Sequence, residues 1–201
     1  KRKNKVKTLL LKGKPVADAI RLGLEPRMKS LKEDGIVPQL AAILIGEDSA
    51  SHIYVRNKTR AFEKMNCKSQ TFQLKEDSDE QEILELIDTL NNDEGVHGIL
   101  VQLPLPEKLN SQTILHSVSS AKDVDGFHPQ NLGLLLEGNP NFIPCTPNGV
   151  LEIFKYYQIP VSRRHVVIVG RSNIVGKPMF ALLTQKFDIG NATVTICHTG
   201  T

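Results

Sequence analysis

Tyr54 and Lys58 stand four residues apart in YVRNK, so on a helix a phenol and an amine share one face. Such a pair can position a water molecule or tune a proton transfer, and a lysine in a dry pocket loses basicity and becomes useful near neutral pH. The same spacing suits an amphipathic helix whose lysine lays its stem along the core. Gln102 ends an apolar run in VQLPLP, at the strand end where open α/β sheets bind ligands; a strand-end amide bonded to backbone is the plainer reading. Asp123 and Asp125 fall in the turn-rich KDVDGF. A carboxylate there can match two adjacent N–H donors on a planar heterocycle, or serve local backbone N–H groups.

The second group of candidates is VVIVGRSNIVGKPM, residues 166–179. Strand, glycine turn and helix follow one another, as in half of a nucleotide-binding fold. Gly170 allows a tight turn, Gly176 allows backbone to approach a ligand, and a helix N-terminus offers N–H donors to phosphate. The spacing is not GxGxxG, so these can equally be ordinary turn glycines. Arg171 follows the turn directly, where a guanidinium can pair with phosphate or simply sit in solvent. The next strand ends in His198 and Thr199, not in the acid that NAD-preferring sites place near the ribose; NADP is therefore expected over NAD. The six histidines show no ligand spacing and only two carboxylates converge, so no metal is expected.

These residues need elements to hold them. Apolar runs alternating with helical patterns predict an α/β chain. Helices are expected at 16–32 (kinked by Pro26), 50–65, 79–90, 111–118, 147–157 and 176–185. Strands are expected at 39–45, 69–74, 98–103, 165–169 and 192–197, with 39–45, 98–103 and 165–169 buried. Residues 121–147 lack a clear period and are expected to be irregular. The division falls into 1–147 and 148–201.

The 201 residues contain 40% hydrophobic side chains and 14 glycines, which excludes a disordered chain. No apolar run reaches the ~18–20 residues of a membrane span. A net charge of +3 and 5% aromatics without Trp give no basis for nucleic-acid binding. Three scattered cysteines, Cys67, Cys145 and Cys197, suit a reducing compartment. The basic residues 1–7 precede an apolar stretch too short for a signal-peptide core, and read as a frayed end or the remnant of an organelle-targeting segment.

Taken together, LLKGKPVA (10–17), ILIGEDSAS (43–51), YVRNKTRA (54–61), HGILVQLPLP (97–106), KDVDGFHPQNLG (122–133), FIPCTPNGV (142–150), VVIVGRSNIVGKPM (166–179) and ATVTICH (192–198) resemble the bifunctional methylenetetrahydrofolate dehydrogenase/cyclohydrolase family, in family order over nearly the whole chain. The resemblance implies an N-terminal three-layer α/β substrate domain and the start of a Rossmann-type NAD(P)-binding domain that stops short at Thr201. It implies NADP-dependent oxidation of 5,10-methylenetetrahydrofolate and hydrolysis of the methenyl product to 10-formyltetrahydrofolate, in a cytoplasmic homodimer of one-carbon and purine metabolism. By motif match Lys58 is the key catalytic residue, with Tyr54, Gln102 and Asp125. Val55, Val101, Leu103, Pro104 and Asp123 complete the folate site, and Gly170, Arg171, Ser172, Ile174, Gly176 and Thr199 contact NADP. Three features depart from the family pattern: Pro26, the long turn QKFDIGN (185–191), and Gly200. A dehydrogenase-only relative, or a naturally short folate- or partner-binding protein without turnover, is the alternative.

Overall fold

The computed structural model describes residues 8–201; the basic run 1–7 lies outside the described residues. Helix α1 (Gly13–Glu33) leads into strand β1 (Gln39–Ile45), α2 (Ser49–Lys64), β2 (Lys68–Leu74), α3 (Glu80–Asn92), β3 (Gly98–Val101) and α4 (Ser111–Ser117). All three strands are parallel in the order β2-β1-β3, with Ala42 of β1 facing Leu100 of β3 and Thr71 of β2.

The apolar run of β1 is covered on both faces, and its two-residue period sorts the helices into layers. Ala41, Ile43 and Ile45 pack with Ile83, Ile87 and Leu90 of α3 and with Ile114 of α4. Leu40, Ala42 and Leu44 turn the other way, toward Val55 of α2 and Leu100 of β3. This gives the expected three-layer α/β unit. Helix α2 begins where the Asp48 carboxylate accepts the Ser51 N–H at 2.7 Å. Strand β3 ends two residues before the expected 103: Gln102 N–H makes one more bond, to the Ile43 carbonyl, and Pro104 has no donor to continue. Helix α1 runs through Pro26 as one element; only Val16 is buried, and Pro26 lies in solvent, where water can serve the carbonyl that the proline nitrogen cannot.

The stretch 121–147 is more ordered than its lack of period suggests. It contains α5 (Pro129–Glu137), capped by His128 Nδ1, which accepts the Gln130 N–H, and closed by Gly138 at φ 101°. Helix α6 (Cys145–Tyr156) starts two residues before the expected Pro147.

The second unit is a βαβ of β4 (His165–Val169), α7 (Gly176–Thr184) and β5 (Thr193–Cys197), with β4 and β5 parallel. Its core joins Leu135 of α5, Leu151 of α6, and Leu182 and Leu183 of α7 to Val166, Ile168 and Val194. The helices cover one face of the strand pair only. Strand β4 is therefore not the buried strand expected from HVVIV: Val167 is 53% exposed and Val169 85%. The two units are joined at a distance where the Tyr157 hydroxyl accepts the Lys12 N–H at 2.9 Å and donates to the Lys12 carbonyl at 3.0 Å.

Candidate functional site

A cavity of about 520 Å³ opens on the α2 side of the first sheet. Leu40 and Leu100 form its apolar floor, with Val101, Gln102 and Leu103 at the strand end. Tyr54, Lys58 and Phe62, spaced one turn apart along α2, supply one wall. Val124, Asp125 and Phe127 supply another, and Cys145 and Thr146 at the start of α6 a third. Ile174, from the loop between β4 and α7, closes the side facing the second unit.

The polar groups converge. Lys58 Nζ donates to Gln102 Oε1 at 3.3 Å, while Gln102 Nε2 donates to the Leu103 carbonyl at 2.7 Å. The second bond, the backbone bond of the plainer reading, fixes the amide so that its oxygen faces the lysine. The Cys145 thiol donates to Asp125 Oδ1 at 3.6 Å. Burial lifts the Asp125 carboxyl above the usual carboxylate range, opposed by the nearby Lys58 charge. Burial, reinforced by the Asp125 charge, pushes the Cys145 thiol up to about 11, so it is a hydrogen-bond donor at neutral pH, not a thiolate. Tyr54 is 61% exposed and stands at the rim.

Several expected site residues lie elsewhere. Val55 is one position from Tyr54 but about 100° round the helix, and is buried in the core with Leu40, Ala42 and Leu44. Pro104 lies outside the cavity, beside Ile45, Glu47 and Pro106. Asp123 is buried beneath the loop, where its Oδ2 accepts the His128 N–H and Asn131 Nδ2, each at 2.8 Å. Leu40, Phe62, Leu100, Val124, Phe127, Cys145 and Thr146 were not in the expected set. The i, i+4 step from Lys58 gives Phe62, and the alternation of β1 and β3 gives Leu40 and Leu100; nothing local marks Cys145.

The glycine turn forms a second, open site at the ends of β4 and β5. Gly170 has φ 136° and open space around its missing Cβ. Gly176 is close-packed against the turn itself: a Cβ would lie only 2.4 Å from the Gly170 carbonyl oxygen. The close approach expected of a ligand here is thus made by the loop's own backbone. Ser172 Oγ accepts the N–H groups of Val175 and Gly176 at 3.1 and 3.4 Å, so those donors of α7 are engaged. Arg171 extends to His198, Nη1 to Nε2 3.3 Å. Gly200 N–H donates to Nδ1 of that histidine, which in the neutral ring leaves the proton on Nε2. The guanidinium and this imidazole thus stand together at the ends of β4 and β5. Thr199 is exposed beside them. An open glycine shelf, an exposed guanidinium and a hydroxyl fit a phosphorylated dinucleotide. Among the described residues, no three His, Cys, Asp or Glu side chains are placed to hold a metal ion, and no helix is long and apolar enough to cross a membrane.

A cavity at a strand end, walled by the loop of a dinucleotide-type βαβ, defines an α/β nucleotide-dependent class, and the chain belongs to the tetrahydrofolate dehydrogenase/cyclohydrolase family. Residues 11–125 match that family's catalytic domain and residues 144–201 its NAD(P)-binding domain. The chain is 48% identical over 192 residues to the bifunctional protein FolD of Ligilactobacillus salivarius, covering 96% of this chain and 66% of the relative. It is 50% identical over 191 residues to that of Chlamydia muridarum, covering 94% and 66%. The structure of FolD methylenetetrahydrofolate dehydrogenase/cyclohydrolase from Campylobacter jejuni superposes with a TM-score of 0.90 at 46% identity, covering 96% of this chain and 67% of the other. The Trypanosoma brucei enzyme, complexed with NADP cofactor and inhibitor, gives 0.88 at 31% identity, covering 96% and 65%. The chain spans about two thirds of the length of the relatives it matches.

Proposed function

We propose that the chain serves NADP-dependent oxidation of 5,10-methylenetetrahydrofolate to 5,10-methenyltetrahydrofolate, and hydrolysis of that product to 10-formyltetrahydrofolate. The observation that carries this reading is the Lys58–Gln102 pair, 3.3 Å apart, inside a cavity that holds Asp125 and is closed by Ile174 of the nucleotide-type loop. Asp125 accepts from adjacent N–H groups of the pterin, and Val101 and Leu103 line the slot in which the ring lies. Tyr54 at the rim screens the reacting carbon from bulk water. Gly170, Arg171, Ser172 and Thr199, with Ile174 beside the cavity, would hold NADP, which would supply the hydride acceptor.

The methenyl product is a cation, so its hydrolysis needs a positioned water and a route for that water's proton. Lys58 holds that water and moves its proton, and Gln102 keeps the amine aimed into the cavity. Presence of both residues favours the bifunctional reading over a dehydrogenase-only one. The same proposal takes the functional division at 1–147 and 148–201, supported by the two separate sheets, although Leu135 of α5 packs into the second core. It also takes the working form as a cytoplasmic homodimer supplying formyl groups to purine synthesis.

The test is Lys58→Met. Hydrolysis of methenyltetrahydrofolate is expected to fall by about a hundredfold to ten-thousandfold while tetrahydrofolate still binds. Undiminished hydrolysis by the variant would remove Lys58 from this role.

A further inference from the structure

We infer that Asp123 is a positioning residue, whose buried carboxylate latches α5 to the edge of β3 and thereby sets the turn that presents Asp125 to the cavity. The inference rests on the folate reading of that cavity.

Asp123 is 4% exposed and Asn131 is fully buried. One oxygen, Oδ2, takes both the His128 N–H from the start of α5 and Asn131 Nδ2 from its first turn, each at 2.8 Å. Asn131 Nδ2 also donates to the Ser120 carbonyl at 2.9 Å. On its other side the backbone at Asp123 is bridged to Ile99 of β3, whose N–H donates to the Lys122 carbonyl at 2.7 Å. The carboxylate therefore joins a helix to a strand across the start of the loop.

The segment between those anchors has no slack. Gly126 N–H returns to the Asp123 carbonyl at 3.1 Å, and at Gly126, with φ +70°, a Cβ would lie 3.0 Å from Pro144. Val124 fills the space left by Gly98, where a Cβ would fall 2.5 Å from its Cγ1. Within this clamp Asp125 enters the cavity and meets the Cys145 thiol. A buried carboxylate is costly unless it is hydrogen-bonded, and here both donors belong to the latch. What the latch requires is an acceptor oxygen, not a charge, and an asparagine carbonyl can supply one.

Two variants test this on the full chain, read by tetrahydrofolate affinity and by the rate of iodoacetamide labelling at Cys145 at pH 9. The second reading needs no ligand, because Cys145 reports whether Asp125 still sits beside it. Asn131→Ala keeps both carboxylates but removes the latch donor. It is expected to weaken tetrahydrofolate roughly tenfold to a hundredfold and to speed Cys145 labelling, the same outcome expected of Asp125→Asn. Asp123→Asn keeps the acceptor and the packing, and is expected to hold tetrahydrofolate affinity within about threefold of the parent chain. A loss in Asp123→Asn as large as in Asp125→Asn overturns the proposal by making the Asp123 charge a ligand contact; this variant decides alone if Asn131→Ala does not fold. An unchanged labelling rate and affinity in folded Asn131→Ala overturns it as well. If the parent chain binds no tetrahydrofolate, the folate reading fails instead, and the labelling rates still decide whether the latch positions Asp125.

Discussion

The two sheets of this chain present their ligand-facing groups in opposite ways. Around β1 every strand residue from Leu40 to Ile45 is buried, and the chemistry is carried by side chains on α2 and at the end of β3 that this packing holds in place. At the ends of β4 and β5 the candidate ligand-facing groups are turn backbone and exposed side chains such as Arg171 and Thr199. Proton transfer tolerates little error in distance, and the groups proposed for it sit on regular elements backed by two core layers. Phosphate binding draws on backbone N–H groups and charge at strand and helix ends, which a turn can supply.

Matched truncations are the strongest way to break this contrast. Ile43→Ala is expected to cost about 2–5 kcal/mol, and Val169→Ala to stay within about 0.5 kcal/mol, measured as the shift in urea unfolding. Equal losses would mean that the two sheets are supported alike. Glycine substitutions sharpen it further. At Gly176 a new methyl meets backbone, 2.4 Å from the Gly170 oxygen, so Gly176→Ala is expected to cost about 1–3 kcal/mol in unfolding experiments. At Gly98 it meets side chains that border the cavity, Val124 Cγ1 at 2.5 Å and Leu40 Cδ1 at 3.6 Å. Gly98→Ala is therefore expected to lower tetrahydrofolate affinity more than it lowers the unfolding midpoint.

The smallest effect concerns the charge inside the first region. Burial raises the Asp125 carboxyl above its ordinary 3.8. The folded chain then binds that proton more tightly than the unfolded one. Its contribution to stability is full below the unfolded value and is lost as pH rises through the folded value. Asp125→Asn removes the charge, so the melting temperature at pH 7 is expected to rise by roughly 2–4 °C, with the gain vanishing toward pH 3, as thermal melts at both pH values will show. Tetrahydrofolate affinity is expected to fall in the same variant, which would mark Asp125 as a residue that trades stability for binding.

Much of this was legible in the residues. The continuous apolar run QLAAILI implies a buried strand, and the turn spacing of Tyr54, Lys58 and Phe62 places them on one helix face. Helix α5 shows no clear period in its sequence because its signals lie at its ends, in His128-Pro129 and Gly138. Strand β4 looked buried because an apolar run reads the same with one face covered or two. The places of Asp123 and Asp125 could not be told apart, since which carboxylate of a turn points inward depends on what packs above it, here Asn131 and Pro144. Cys145 gave no signal because its partner, Asp125, is twenty residues away.

Ile174 belongs by sequence to the nucleotide-type loop and by position to the wall of the cavity proposed for folate. A wall common to two ligands is a term common to two binding equilibria. Whatever free energy one ligand adds or removes by fixing that side chain, the other recovers with the same sign and size, because the cycle of binding steps must close. The order in which the two ligands arrive can then alter rates, but never the product of their affinities.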